Sequence, residues 1–222
     1  MSCKKIISAV LLSAFVTAAF AGCSNSDTQT ADEATVKISS SSTSSNADDS
    51  STDDEMFTER DKEIGYDESE CETITLSDNA STSSLKSVKI DGNTITVSEQ
   101  GTYIVSGTLS DGQIIIDGDK NEKIRLILDG VTINSNTGAP IYVKQTDKLF
   151  ITLAESSKNV LTNNKKFTAD GDNNVDAVIF SKDDITLNGN GSLEITTNCG
   201  HGIVSKDDLK ITSGTYSITS SS

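Results

Sequence analysis

An all-β fold, built as a parallel β-helix, is what this sequence predicts, and three observations predict it. Apolar residues recur at spacing two in short runs after about residue 71, Gly, Asn and Asp punctuate those runs every few positions, and one stretch repeats itself at a fixed offset. In AVIFSKDDITLNGNGSLEITTNCGHGIVSKDDLKIT, Ser181-Lys182-Asp183-Asp184 returns as Ser205-Lys206-Asp207-Asp208. Ile179 is matched by Ile203, Ile185 by Leu209 and Leu187 by Ile211, all 24 residues apart. A sandwich would use longer strands joined by hairpins of variable spacing. A coil of three short strands stacked on its like is the architecture that demands a constant offset.

The elements follow in order. Residues 1–22 read as a secretory signal: Lys4 and Lys5 form a basic start, Ile6 to Phe20 an apolar run too short for a spanning helix, and small residues follow. Phe20-Ala21-Gly22-Cys23 resembles a bacterial lipobox, so Cys23 is expected to be the acylated first residue of a mature, exported cell-surface lipoprotein held to the membrane by that lipid. An ordinary signal with Cys23 left as a thiol is the alternative. Residues 23–70 are rich in Ser, Thr, Asp and Glu, with almost no apolar clusters. Such a segment buries too little to offset its ordering entropy and is expected to be a disordered, self-repelling tether.

Residues 71–222 carry the strands. Their apolar pairs include Ile95/Val97, Tyr103/Val105, Ile114/Ile116, Leu126/Leu128, Ile141/Val143, Leu149/Ile151, Leu193/Ile195 and Tyr216/Ile218. An earlier coil fits the frame of the repeat: Ile141-Tyr142-Val143-Lys144 aligns with Ile179-Phe180-Ser181-Lys182, and Leu149 aligns with Ile185 after a two-residue slip. The chain stops directly after a strand pair, so either a longer protein continues the coil or another chain covers its edge. Continuation is the expectation adopted.

Charge excludes one partner class. With 18 Lys and Arg against 33 Asp and Glu, the net charge of −15 leaves nothing to neutralise nucleic-acid phosphates. Cys71 and Cys199 remain once Cys3 leaves with the signal and Cys23 takes lipid, and neither sits in a metal-finger or redox spacing. Spacing alone does not say whether they pair.

In register the three coils stack Lys144, Lys182 and Lys206, with Asp147, Asp183 and Asp207 beside them. Alternation sends Tyr142, Phe180 and these lysines away from an inward row of Ile141, Ile179 and Ile203. Two readings stand. The ladder is a solvated turn edge whose aspartates cap backbone amides, or it is a site for anionic sugar. In the second reading Lys144, Lys182 and Lys206 contact carboxylates, Tyr142 and Phe180 contact sugar, and Asp183, Asp184, Asp207 and Asp208 hold Ca²⁺, the cation that hard oxygen ligands without His or Cys favour. A second candidate calcium loop is TADGDNNVDA, with Asp170, Asp172, Asn174 and Asp176 alternating, although the distal Glu of an EF-hand is missing. A polar turn is its alternative. Asp117, Asp119 and Glu122 in IDGDKNE read as a turn.

Catalytic signals are sparse. His201 is the single histidine and sits in a turn, no GxSxG or HExxH occurs, and Arg125 lies on a strand facing away from Leu126 and Leu128. Taken together, LILDGVTINSNTGAPIYVKQTDKLFITLAE, NVDAVIFSKDDITLNGNGSLEI and HGIVSKDDLKITSGTYSI resemble the clostridial pectate-lyase-like carbohydrate-binding domain family over about Ile90 to Ile218. That resemblance implies a right-handed, pectate-lyase-like solenoid with bound calcium that adheres to cellulose and to acidic pectic sugars such as polygalacturonate. A calcium-dependent polysaccharide lyase and a purely structural adhesin or stalk are the alternatives, since fold does not settle function.

Overall fold

The alternation of apolar residues becomes strands throughout. In a computed structural model the described residues are 34–38, 56–171 and 173–221, all within the unit Ala31–Ser222. The signal, Cys23, much of the tether and Asp172 lie outside the described residues. Among those described, seventeen strands stand beside one turn of α-helix and one 3-10 turn, so the fold is all-β.

In chain order, β1 (Ala34–Ile38) precedes α1 (Glu59–Lys62), and then come β2 (Glu72–Leu76), β3 (Thr82–Ser83), β4 (Lys89–Asp91) and β5 (Thr94–Val97). The middle of the chain holds β6 (Gly101–Leu109), β7 (Gln113–Asp117), β8 (Lys123–Ser135), β9 (Ile141–Gln145), β10 (Lys148–Leu153) and β11 (Lys158–Asn163). The last six are β12 (Ala177–Ser181), β13 (Asp184–Gly189), β14 (Ser192–Thr197), β15 (His201–Ser205), β16 (Leu209–Ile211) and β17 (Gly214–Ser220).

Strands β9 to β11, β12 to β14 and β15 to β17 form three successive triplets, and each strand lies parallel to its counterpart in the next. Ile141, Ile179 and Ile203 share one row, Leu149, Ile185 and Leu209 a second, and Leu161, Ile195 and Ile218 a third. The register expected from the 24-residue offset, including the slip before Leu149, is therefore the observed one. Earlier in the chain, the long strand β8 pairs with β10 through its first half and β11 through its second. One sheet has six strands in the order β15-β12-β9-β7-β5-β4, and the other has eleven. Both sheets are mixed, because β4 runs antiparallel to β5, β2 to β3, and β1 to β17. The wholly parallel arrangement expected from the repeat gives way at these positions.

Ile, Leu and Val from both sheets meet in one core, with Ile114, Ile141, Ile151, Ile179, Ile185 and Leu187 fully buried. Each such side chain contributes roughly 1.5–3 kcal/mol relative to exposure. Gly189 marks a corner. Its φ is +117°, and a Cβ there would lie 2.2 Å from the Leu153 carbonyl oxygen, so only glycine lets the two backbones approach.

The tether expected over 23–70 ends earlier than its composition implies. Thr58 caps α1 through a capping box with Asp61, and Asp61 is fully buried against the eleven-stranded sheet. Residues 58–65 are a strap whose ordering entropy is offset by ion pairs and hydrogen bonds, which a count of apolar residues does not register.

Candidate functional site

A cleft opens where the connection between β11 and β12 folds back over the outward face of the six-stranded sheet. Val175 from this loop packs with Ala139, Tyr142, Ala177 and Phe180 in a small second core. Tyr142 and Phe180 meet edge to face, with ring centroids 5.8 Å apart. The loop is fastened by Thr168 N–H donating to the Thr137 carbonyl at 2.9 Å and is pinched by reciprocal backbone bonds between Asp170 and Asn173. Between loop and sheet lies a cavity of ≈ 420 Å³ open to solvent, with Ile115, Ala139 and Val175 supplying apolar walls and Gln113, Thr137, Lys144, Thr168 and Asp170 polar groups.

Asp170 organises the polar side. The Tyr142 hydroxyl donates to its Oδ2 at 3.2 Å, the Lys144 Nζ lies 3.0 Å from the same oxygen, and the Lys144 ammonium also stands 5.5 Å from the Tyr142 ring centroid. The hydrogen bond from Lys144 and its charge hold the Asp170 carboxyl below the usual range, with Tyr142 and the Lys182 charge adding to them. Burial, reinforced by the Asp170 charge, pushes the Tyr142 phenol up to about 12. Tyr142 is thus a fixed donor, and Lys144 and Asp170 form a mutually neutralised, half-exposed pair at the mouth of the cleft.

The residues anticipated for sugar contact divide. Lys144 and Tyr142 reach the cleft. Tyr142 and Phe180 do point away from the main core, as alternation requires, yet they are only 4% and 1% exposed. Val175 and its loop pack over them, so the two rings expected to contact sugar are largely covered. Lys206 lies over the covered Phe180 ring, 5.4 Å from its centroid. Lys182 and Lys206 each follow the registered pair Ser181 and Ser205.

The aspartates of the ladder bond to the protein. Asp183 Oδ2 accepts from Thr146 N–H at 3.0 Å and Asp184 Oδ1 from Asp208 N–H at 3.2 Å, while Asp147 pairs with Lys123 and Asp207 N–H donates to Ser205 Oγ. One oxygen of Asp183 and one of Asp184 therefore cap backbone amides, the bland alternative for this motif. In the second candidate loop, Asn174 Nδ2 donates to Asp176 Oδ2 at 2.8 Å, whereas the buried Asp176 Oδ1 has no hydrogen-bond partner among the described residues. No group of three or more His, Cys, Asp and Glu side chains is arranged for a metal among the described residues. In IDGDKNE, Asp119 and Glu122 close a turn on Asn121 and on the Asp119 amide.

Arg125 faces outward from its strand, as its neighbours dictate, but is only 7% exposed. Its guanidinium donates to the Glu63 and Gly65 carbonyls at 2.8 and 2.9 Å and its Nε to Thr152 Oγ1 at 3.0 Å. Two guanidinium nitrogens thus hold the strap and the third holds Thr152 on the sheet, so each nitrogen of this buried group already donates within the protein. The one local signal of the strap was Thr58-x-x-Asp61, a capping-box spacing inside a segment read as tether. Cys71 and Cys199 are free thiols that donate to the Asp67 and Lys165 carbonyls.

A family model described as carbohydrate-binding domain-containing protein matches residues 91–222, and the chain belongs to that family. A relative of the same description from Acetivibrio thermocellus is 38% identical over 143 residues, covering 64% of this chain and 50% of its own length. The chain therefore spans about half the length of that curated relative. Among solved structures, the polysaccharide lyase-like protein from C. thermocellum, studied as a gadolinium derivative, is 36% identical with a TM-score of 0.62, over 65% of this chain and 60% of that one.

Proposed function

We propose that the chain is a surface-anchored lipoprotein whose structured part, a right-handed parallel β-helix, holds plant cell-wall polysaccharide, cellulose or polygalacturonate, with calcium. The observation that carries this reading is the cleft under the 164–176 loop. Sugars offer apolar C–H faces and rings of hydroxyls, and a concave site with apolar walls and a few fixed polar groups suits both. Ile115, Ala139 and Val175 supply the walls. Gln113, Thr137 and Thr168 offer hydrogen bonds, and Lys144 can exchange its Asp170 partner for a uronate carboxylate. Family membership supports a carbohydrate partner.

Calcium is proposed for the 170–176 loop, where Asp176 Oδ1 has no hydrogen-bond partner among the described residues and Asp170, Asp172 and Asn174 are neighbours in sequence. When bound, a hard cation there would supply charge for a sugar carboxylate. A lyase reading gains no support from Arg125, which is buried and whose three nitrogens each donate to the strap or to Thr152.

The test follows retention and product formation separately. The chain is applied to immobilised polygalacturonate and to cellulose with Ca²⁺ or EDTA, while absorbance reports unsaturated sugars. Retention that EDTA weakens and that Lys144→Ala reduces, without products, is expected. Unsaturated products would move the assignment to a lyase, and no retention on any plant polysaccharide would move it to a structural stalk.

A further inference from the structure

The outward face of the eleven-stranded sheet, beneath the strap, concentrates cationic and hydroxyl groups on a strongly acidic chain. Register places Arg125, Phe150, Thr186 and Lys210 in one row across β8, β10, β13 and β16. The next row holds Thr152 and Asn188, and Lys148 precedes Phe150. These residues all serve one guest. Lys148 Nζ lies 2.7 Å from Asp61 Oδ1 and Lys210 Nζ 3.6 Å from Asp61 Oδ2. Thr186 Oγ1 donates to Asp61 Oδ1 at 2.7 Å, and Thr212 Oγ1 and Asn188 Nδ2 donate to the Asp61 carbonyl at 2.8 and 3.0 Å. The sheet thus meets a carboxylate with two ammonium groups and a hydroxyl, and the Phe150 ring lies under the Lys148 ammonium and the strap's own Arg60.

The guest is held by polar contacts. Asp61 is the buried residue of α1. On one side of the strap a cleft of ≈ 330 Å³ runs between Gly65 and Leu153, Ala154 and Asn190. On the other a cleft of ≈ 420 Å³ lies between Arg60 and Thr102 and Lys123. Both clefts border the strap and are open to solvent.

We propose that this face is a second binding groove, selective for carboxylated sugars, and that residues 58–65 cover it in cis, Asp61 occupying the place of a uronate carboxylate. A uronate chain would take the Lys148, Lys210 and Thr186 contacts that Asp61 now makes and extend along both clefts. Neutral glucan lacks the carboxylate and leaves the strap seated. The groove is distinct from the Tyr142 cleft, and the proposal rests on the reading of the chain as a polysaccharide binder only for the class of ligand.

Two arms test it on the full chain. Oligogalacturonate added to the unmodified protein should accelerate hydrogen exchange at residues 58–65, and cello-oligosaccharide should not. Asp61→Ala should raise retention on polygalacturonate about tenfold, the gain expected if the strap closes the groove about nine-tenths of the time. Lys148→Ala with Lys210→Ala, added to Asp61→Ala, should abolish that gain. Strap exchange unchanged by oligogalacturonate at concentrations that saturate retention overturns the proposal, and this arm decides even if Asp61→Ala fails to fold. The Tyr142 cleft is judged independently, because Lys144→Ala lowers retention in the Asp61→Ala background only if that cleft also binds.

Discussion

The Lys148 ammonium lies 2.7 Å from the Asp61 carboxylate, with the two side chains 9% and 0% exposed. A pair so sealed costs desolvation on both sides, and removing one partner leaves an uncompensated buried charge. Lys148→Met should therefore weaken strap docking by up to about 3 kcal/mol, since such losses run at roughly 3–5 and Lys210 remains as a partial partner. Because the strap opens as a local unit, trypsin cleavage after Arg60 should accelerate well before the urea midpoint of the sheets changes. Equal cleavage rates in both proteins would show that the pair does not seat the strap.

Acid should release the same strap. Burial raises the Asp61 carboxyl, but hydrogen bonds from Lys148, Thr186 and Thr58 outweigh it and hold the group well below its ordinary 3.8. A folded value depressed below the unfolded one means that the stabilisation is fully present above about 3.8 and is lost as pH falls through the folded value. Lys148 and Lys210 are the cationic groups that face the carboxylate. Exchange at residues 58–65, corrected for intrinsic rates, should accelerate below that point, and Asp61→Asn should remove the dependence on this group.

Lys144→Ala in the cleft should change stability by less than about 1 kcal/mol, because its pair with Asp170 is half-exposed and solvent-screened. Its effect belongs to binding instead. Retention on polygalacturonate should fall while the urea midpoint stays nearly constant, and a parallel fall of both would mean that the residue acts by folding the loop.

Gly189→Ala should destabilise the chain by more than about 1 kcal/mol, because alanine tolerates φ +117° poorly and its Cβ would meet the Leu153 backbone oxygen. Chemical denaturation reads this directly. Gly130→Ala, where φ is +73° but no atom lies within 4 Å of the added Cβ, should cost less.

Cys23→Ser should abolish incorporation of labelled fatty acid and release the chain from membranes. Incorporation that persists in the variant, or none in the unmodified chain, would overturn the proposed anchor at Cys23.

The rows of Ile141, Ile179 and Ile203 and of Leu149, Ile185 and Leu209 were legible in the linear chain. A strand alternates with period two wherever one face is buried, and parallel neighbours inherit any constant offset in the chain. The outward direction of Tyr142, Phe180 and Arg125 followed from the same parity. Their burial did not, because it depends on what lies on top. Phe180 is covered by a loop whose polar composition reads as an open turn, and Arg125 by a strap whose composition reads as disorder. The antiparallel edges were likewise hidden, since a pattern of alternation carries no strand direction.

What the sequence by itself determined is the periodic part, meaning strands, register and the identity of the inward rows, because those follow from local spacing and hydrophobicity. Only the tertiary structure decided where the charges go. Asp61 finds Lys148, Thr186, Thr212 and Lys210, and Asp170 finds Lys144 and Tyr142, through contacts between distant positions. Polar complementarity has no period, so it becomes visible only when folding brings the partners within hydrogen-bonding distance.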